Sequence, residues 1–154
     1  MKLVIVGAKE RDTEEDRLFV HALMDQIAAE APHTTFVTAL THMGVGRFVK
    51  EYGLTKNADN RYIFQIVECS VRIYAQDLSK PELAQIYIAK NATVAELGDM
   101  LIYLASEDRR GTCEDLLSRF EALRRPTLVL MPGDALPARV FTTPGGFDGI
   151  PFAQ

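Results

Sequence analysis

The sequence predicts an α/β fold, a Rossmann-like three-layer sandwich built on a mostly parallel sheet of about five strands. Three observations lead there. Short apolar, β-branched runs alternate with helical stripes in the order β-α-β-α-β-α-β-α-β as far as Met131. The strand segments are continuously apolar rather than alternating, as strands covered on both faces are. Glycine-containing turns sit between strand and helix three times, at Gly7, at Gly44–Gly46 and at Gly111.

Residues 3–6 are the first strand, closed by Gly7. Thr13 with Asp16 three residues on has the spacing of a capping box, and Phe19, Val20, Leu23, Met24 and Ile27 then form one helical stripe. Thr34 to Ala39 is the second strand. Val45, Phe48, Val49 and Tyr52 recur at i, i+3, i+4, i+7 and predict a helix ended by Gly53, with a polar loop over 55–61. Residues 62–67 are strand formers; 68–76 mix strand formers with Glu68, Ser70 and Arg72 and stay open. Ser79, Pro81 and Glu82 open the next helix, which Asn91 breaks or recaps, and a short helix over 92–97 ends at Gly98. Met100 to Leu104 is a buried strand. Cys113, Leu116, Leu117, Phe120 and Leu123 give the cleanest helical stripe, and Thr127 to Met131 the last strand.

Two units follow: a nucleotide-binding type of domain over 1–131 and a tail over 132–154. The tail holds four of the seven prolines and four of the ten glycines, with Phe141, Phe147, Ile150 and Phe152 scattered through it. A tail folded over its own domain and an arm for a homo-oligomer interface are both open readings.

Bulk properties narrow the function. A formal charge of −4 argues against non-specific nucleic-acid binding, which needs a positive face. No apolar run reaches the roughly 18 residues that span a bilayer, and the apolar stretch after Met1 is too short for a signal peptide, so a cytoplasmic protein is expected. Cys69 and Cys113 fit no metal or redox spacing, and His21, His33 and His42 do not cluster, so no metal and no cofactor are assigned.

Ligands of open α/β sheets bind beyond the carboxyl ends of the strands. The turns at Gly7, Ala8 and Lys9, at Thr41 to Arg47 and at 105–112 should meet there. Gly44 and Gly46 open a helix on whose amides an anion could rest, with Arg47 and Lys9 as counterions; Arg11 is a further cation after the first strand. Gly111 and Thr112 open another. Thr112 and Asp115 also have capping-box spacing, with Glu114 complementing the helix dipole, so this block has a purely structural reading beside the functional one. Asn91 caps and Asp99 bonds to loop amides on the structural reading; ligand recognition is the alternative for both. Arg124 and Arg125 sit at a helix C-terminus, where cations are favoured.

Taken together, Gly7-Ala-Lys9, the turn at Gly44–Gly46, the block from Ala89 to Asp99 and Arg110-Gly-Thr-Cys-Glu-Asp115 resemble the SLOG superfamily, the Rossmann-like group containing the DprA, LOG and YspA-like proteins. The resemblance covers about residues 2–131. It implies a nucleotide or nucleotide-derived ligand on the glycine turns, with Asn91, Asp99, Gly111 and Thr112 in the matching block. LOG-like members cleave the N-glycosidic bond of nucleoside monophosphates. The deoxyribosyltransferases of similar fold work through a glutamate, YspA-like members are thought to sense nucleotides, and DprA-like members bind single-stranded DNA. If the chain is an enzyme of this kind, Glu114 and Asp115 are its catalytic candidates. The sequence departs from the enzymatic pattern where Asp108-Arg-Arg110 replaces the LOG-type Pro-Gly-Gly and where Asp115 stands in place of the usual glutamate; positions 8 and 9 are Ala and Lys where YspA-like proteins often carry Ser and Arg. A binder or sensor of a nucleotide or phosphosugar is therefore expected ahead of a glycosidase or transferase.

Overall fold

The computed structural model describes residues 1–39, 42–58, 66–69, 78–142 and 146–148. Its elements are β1 (Lys2–Gly7), α1 (Glu14–Glu30), β2 (Thr35–Ala39), α2 (Gly44–Ala58), β3 (Ile66–Cys69), α3 (Lys80–Leu97), β4 (Met100–Leu104), α4 (Thr112–Ala122), β5 (Thr127–Leu130), β6 (Phe141–Thr142) and β7 (Gly146–Phe147). The main sheet runs β3-β2-β1-β4-β5 with every pair parallel. The α/β class and the parallel sheet between helical layers are as the sequence predicts.

Alternation along β1 shows how the layers form. Leu3 and Ile5 face α1 and α2, where they pack with Val20, Leu23, Met24, Ile27, Phe48 and Val49. Val4 and Val6 face α3 and α4, among Val94, Ala95, Leu116, Leu117 and Phe120. Because consecutive strand residues point to opposite faces, an unbroken apolar run satisfies both layers. Burying one such large side chain is worth about 1.5–3 kcal/mol; Leu3, Val4 and Ile5 are each fully buried.

The strand order creates a switch point. From β1 the chain moves outward through β2 to β3, then crosses to β4 on the other side of β1 and on to β5. The carboxyl ends of β1 and β4 lie side by side, Gly7 paired with Leu104. Connections leaving these two strands go to opposite faces, which opens a crevice at their carboxyl ends.

Several local expectations are corrected. The second helix does not end at Gly53 but continues to Ala58. An internal glycine costs about 1 kcal/mol, and the burial of Val49 and Tyr52 on the same stripe outweighs it. Asn91 neither breaks nor recaps α3, which is continuous over Lys80–Leu97. Its amide bonds to α4 instead of to its own backbone, so it does not compete with the helix. The third strand, expected over 62–67, runs on to Cys69, two residues into the stretch the sequence leaves open; 62–65 lie outside the described residues. Leu123 ends the α4 stripe half exposed, beyond the last helical residue. Arg125 bonds to the carbonyls of Ala95 and Gly98, capping the end of α3 rather than its own helix.

Within the described part of the tail, Val140 and Phe147 are buried in the α1–α2 layer. Phe141 stacks on Phe147, with ring centroids 6.0 Å apart. The Glu30 carboxylate accepts hydrogen bonds from the amides of Val140 and Phe141, and Gln26 donates to the Pro137 carbonyl. The segment is thus built onto the C-terminal end of α1. No helix among the described residues is long and apolar enough to cross a membrane.

Candidate functional site

A cleft of about 540 Å³ opens at the switch point. Its floor is Val6 to Glu10, leaving β1. One wall is Ala39 and the α2 start, Met43 to Gly46; the opposite wall is Arg110 to Cys113 with Leu116 at the α4 start. The third side is α3, through Lys80, Leu83, Ala84, Tyr87, Lys90 and Asn91. The size suits a drug-sized or nucleotide-sized guest. The structure therefore brings together Gly7, Ala8, Lys9, Gly44, Gly46, Asn91, Gly111 and Thr112 of the expected residues. Thr41 lies outside the described residues.

Glycine is required at two of these positions for different reasons. A Cβ on Gly7 would lie 2.3 Å from Val45 Cγ2, so its absence lets α2 begin against the end of β1. Gly111, the residue before α4, has φ 107° and ψ −179°, a region open essentially to glycine alone. No atom lies within 4 Å of where its Cβ would be, so the demand there is conformational.

The helix starts at this rim differ. The α1 start is closed by the Thr13–Asp16 capping box expected from sequence. At α2, the Gly44 amide donates to Asp12 Oδ1 at 2.9 Å. At α4, Thr112 is the first helical residue and not the cap, and Gly111 provides no side-chain cap. The expected Thr112–Asp115 box does not form, because the φ of Gly111 starts the helix one residue earlier. Ala8 offers no free amide either; it donates to the Leu104 carbonyl at 2.9 Å.

Five expected residues are placed away from the cleft wall. Arg47 pairs with Asp12 at 3.1 Å and lies 3.7 Å from Glu51. Asp99 is at the opposite, amino edge of the sheet, where it accepts the Lys2 amide at 2.7 Å. Glu114 turns to Arg109, whose Nε lies 3.0 Å from both carboxylate oxygens. Asp115 is held by Asn91 at 3.1 Å and Arg119 at 2.8 Å. Burial disfavours charge on both acids, but these partners outweigh it and hold both carboxyls below their ordinary range. Arg11 is buried; it pairs with Asp16 and donates to the carbonyls of Ala105 and Leu130, tying the carboxyl ends of β4 and β5 together.

Other groups in the cleft were not singled out by sequence. Cys113 is a free thiol whose Sγ lies 3.4 Å from the Gly7 carbonyl. Burial, reinforced by the Glu114 charge and opposed by Lys90, pushes it up to about 12, so it stays a neutral thiol near pH 7. Asp108 is bonded to Ser106 and paired with Arg110. Behind Glu114, burial and that carboxylate push the Tyr103 phenol far above its ordinary range. Among the described lining residues there are four cations, Lys9, Lys80, Lys90 and Arg110, against two carboxylates, Glu10 and Asp108. An adjoining depression has the reverse character, lined by Glu10, Glu15, Asp16, Glu107, Asp108 and Asp134. Among the described residues no group of three His, Cys, Asp or Glu could hold a metal ion.

No protein-family model, curated protein or solved structure matches the chain.

Proposed function

We propose that the cleft binds a phosphorylated small molecule of nucleotide type, and that the protein is a binder or sensor of it. One observation supports this above the others: the loops leaving β1, β2 and β4 meet at the switch point in a cleft whose described lining residues hold more cations than carboxylates, on a chain of net charge −4. A local excess of positive charge against an acidic background draws an anion to that place. The uncapped α4 start adds the amides and dipole of a helix N-terminus on the same wall. The resemblance to the SLOG superfamily points to the same ligand class.

Binding is placed ahead of bond cleavage because of where Glu114 and Asp115, the two acids expected to be catalytic, lie. A glycosidase needs a carboxylate at the anomeric carbon, either to attack it or to protonate the leaving group. Glu114 and Asp115 are engaged by Arg109 and by Asn91 with Arg119, off the cleft wall. Asn91 then acts as a brace, joining α3 to the Thr112 carbonyl at 2.8 Å and to Asp115.

The test is a panel of nucleoside monophosphates incubated with the purified protein, read by thermal melting and by chromatography for released base. A ligand at a hundred times its Kd stabilises the native state by about 2.7 kcal/mol. At least one nucleotide should raise the melting temperature with no base appearing. Release of base would replace the binder with an enzyme, and a flat melting temperature across the panel would remove the reading altogether.

A further inference from the structure

The cleft-facing stripe of α3 has a composition its neighbours lack. Residues 83, 84, 87, 90 and 91 recur at helical spacing and all line the cleft. In the same helix the fully packed positions, Asn91, Val94 and Ala95, belong to the C-terminal half. The preceding turns therefore carry Leu83, Ala84 and Tyr87 with the cleft in front of them rather than the sheet core, and all three are only half-buried. Lys90 follows Tyr87 by three residues, about 4.5 Å further along the axis at 1.5 Å per residue. Asn91, the next residue, donates to the Thr112 carbonyl at 2.8 Å, which places this end of the stripe beside the α4 start. Lys80 lines the cleft at the other end of the same stripe, so the apolar surface lies between two cations, of which Lys90 is the one toward the Gly111–Thr112 start of α4.

We infer that Leu83, Ala84 and Tyr87 seat the aromatic base of the ligand, whose phosphate lies at the Lys90 end between Lys9 and the Gly111–Thr112 amides. The inference rests on the nucleotide reading above and adds an orientation and a specificity to it. Leu83 to Lys90 spans seven residues, about 10 Å of helix, so one molecule with an aromatic head and an anionic end can meet both. An apolar and aromatic seat has no fixed hydrogen-bond code, so it accepts flat bases by stacking and discriminates against ligands that lack one. Phosphate alone or a sugar phosphate would satisfy the cationic end and leave the apolar stripe wet.

The experiment is isothermal titration of the full chain with adenosine monophosphate, ribose 5-phosphate and inorganic phosphate, repeated on Tyr87→Ala, Tyr87→Phe and Leu83→Ala, with thermal melts confirming that each variant is folded. In the parent protein adenosine monophosphate should bind about tenfold or more tightly than ribose 5-phosphate, the size of one base–aromatic stack. Tyr87→Ala should erase most of that difference and leave ribose 5-phosphate unchanged. Tyr87→Phe should keep it, and Leu83→Ala should reduce it partly. Equal parent affinities for adenosine monophosphate and ribose 5-phosphate would overturn the base seat while leaving the phosphate site standing. Equal weakening of both ligands by Tyr87→Ala would also overturn it. If none of the three compounds binds, the nucleotide reading falls and this inference with it.

Discussion

The starts of α2 and α4 look alike in sequence and differ in the fold. Each follows a strand, each has glycine at the turn, and each faces the same cleft. At α2 the protein supplies its own anion: Asp12 accepts the Gly44 amide and pairs with Arg47. At α4 the N-cap residue Gly111 has no side chain to cap the helix, and the two acids of its first turn are drawn sideways by Arg109 and Arg119. The starts of α1 and α3 are also closed, by Thr13 with Asp16 and by Ser79 with Glu82. A helix N-terminus attracts an anion whether that anion is a guest or a residue of the chain. The difference between α2 and α4 is the reason the proposed phosphate is placed at the α4 start.

The largest effect should come from Gly111→Val. A β-branched residue at φ 107° and ψ −179° carries backbone strain of about 1–3 kcal/mol. Relief would rotate the Thr112 amide away from the cleft. Chemical denaturation should show a loss in that range, and nucleotide affinity should fall by an order of magnitude or more. A variant of parental affinity would mean that the α4 start takes no part in binding.

Next in size is Asp12→Ala, which removes the cap from α2. Loss of a capping side chain costs about 1 kcal/mol, and Arg47 would lose its partner at 3.1 Å. Asp12→Asn keeps an acceptor oxygen and should recover most of the stability. If Asp12→Ala melts with the parent, the Asp12 bond is no cap and the contrast between the two helix starts dissolves.

A smaller, pH-dependent effect belongs to α1. Burial opposes charge on Asp16, but Arg11 and Thr13 bond to its carboxylate and hold it below the ordinary range. The unfolded chain then takes up this proton first, so the stabilisation is complete above the unfolded value of about 3.9 and drains away as pH falls below it. Glu30, lowered by the Val140 and Phe141 amides against its own burial, acts in the same direction and should loosen the tail. Denaturation midpoints measured from pH 6 down to pH 3 should fall, and Asp16→Asn should flatten that fall. An unchanged slope in Asp16→Asn would assign the acid sensitivity to other groups.

What sequence shows and what it hides divides along range. The Thr13–Asp16 and Ser79–Glu82 boxes lie within four residues and form as expected. Strand β4 is as read because its apolar run is long enough to be unambiguous. The meeting of the glycine turns follows from topology alone, since parallel strands put all their carboxyl ends at one edge. By contrast, the occupant of the α2 start comes from a residue 32 positions away, and Asn91 finds partners 21 and 24 positions on. Nothing local distinguishes these side chains from solvated ones. The acids at 114 and 115 are a different case: their partners Arg109 and Arg119 lie only five and four residues away, and spacing alone does not choose between these pairings and the cleft. Sequence shows where α3 begins but not that it runs unbroken past Asn91, with Leu83 and Tyr87 along the cleft.

Arg47 gives the finest break of the comparison. By sequence it is the natural counterion for a phosphate on the Gly44–Gly46 turn. In the fold its guanidinium meets Asp12 and approaches Glu51, and it is absent from the cleft wall. Exposed pairs of this kind are worth between about 0 and 1 kcal/mol, so Arg47→Ala should move stability by no more than a few tenths. Nucleotide affinity should stay within about twofold of the parent, because the removed charge already faces a carboxylate and contributes little net field to the cleft. Lys9→Ala is the matched comparison: it removes a cation that does line the cleft, and affinity should weaken several-fold at low salt and less at high salt. If Arg47→Ala weakened binding more than Lys9→Ala, the phosphate would sit at the α2 start after all, displacing Asp12. The two helix starts would then exchange roles.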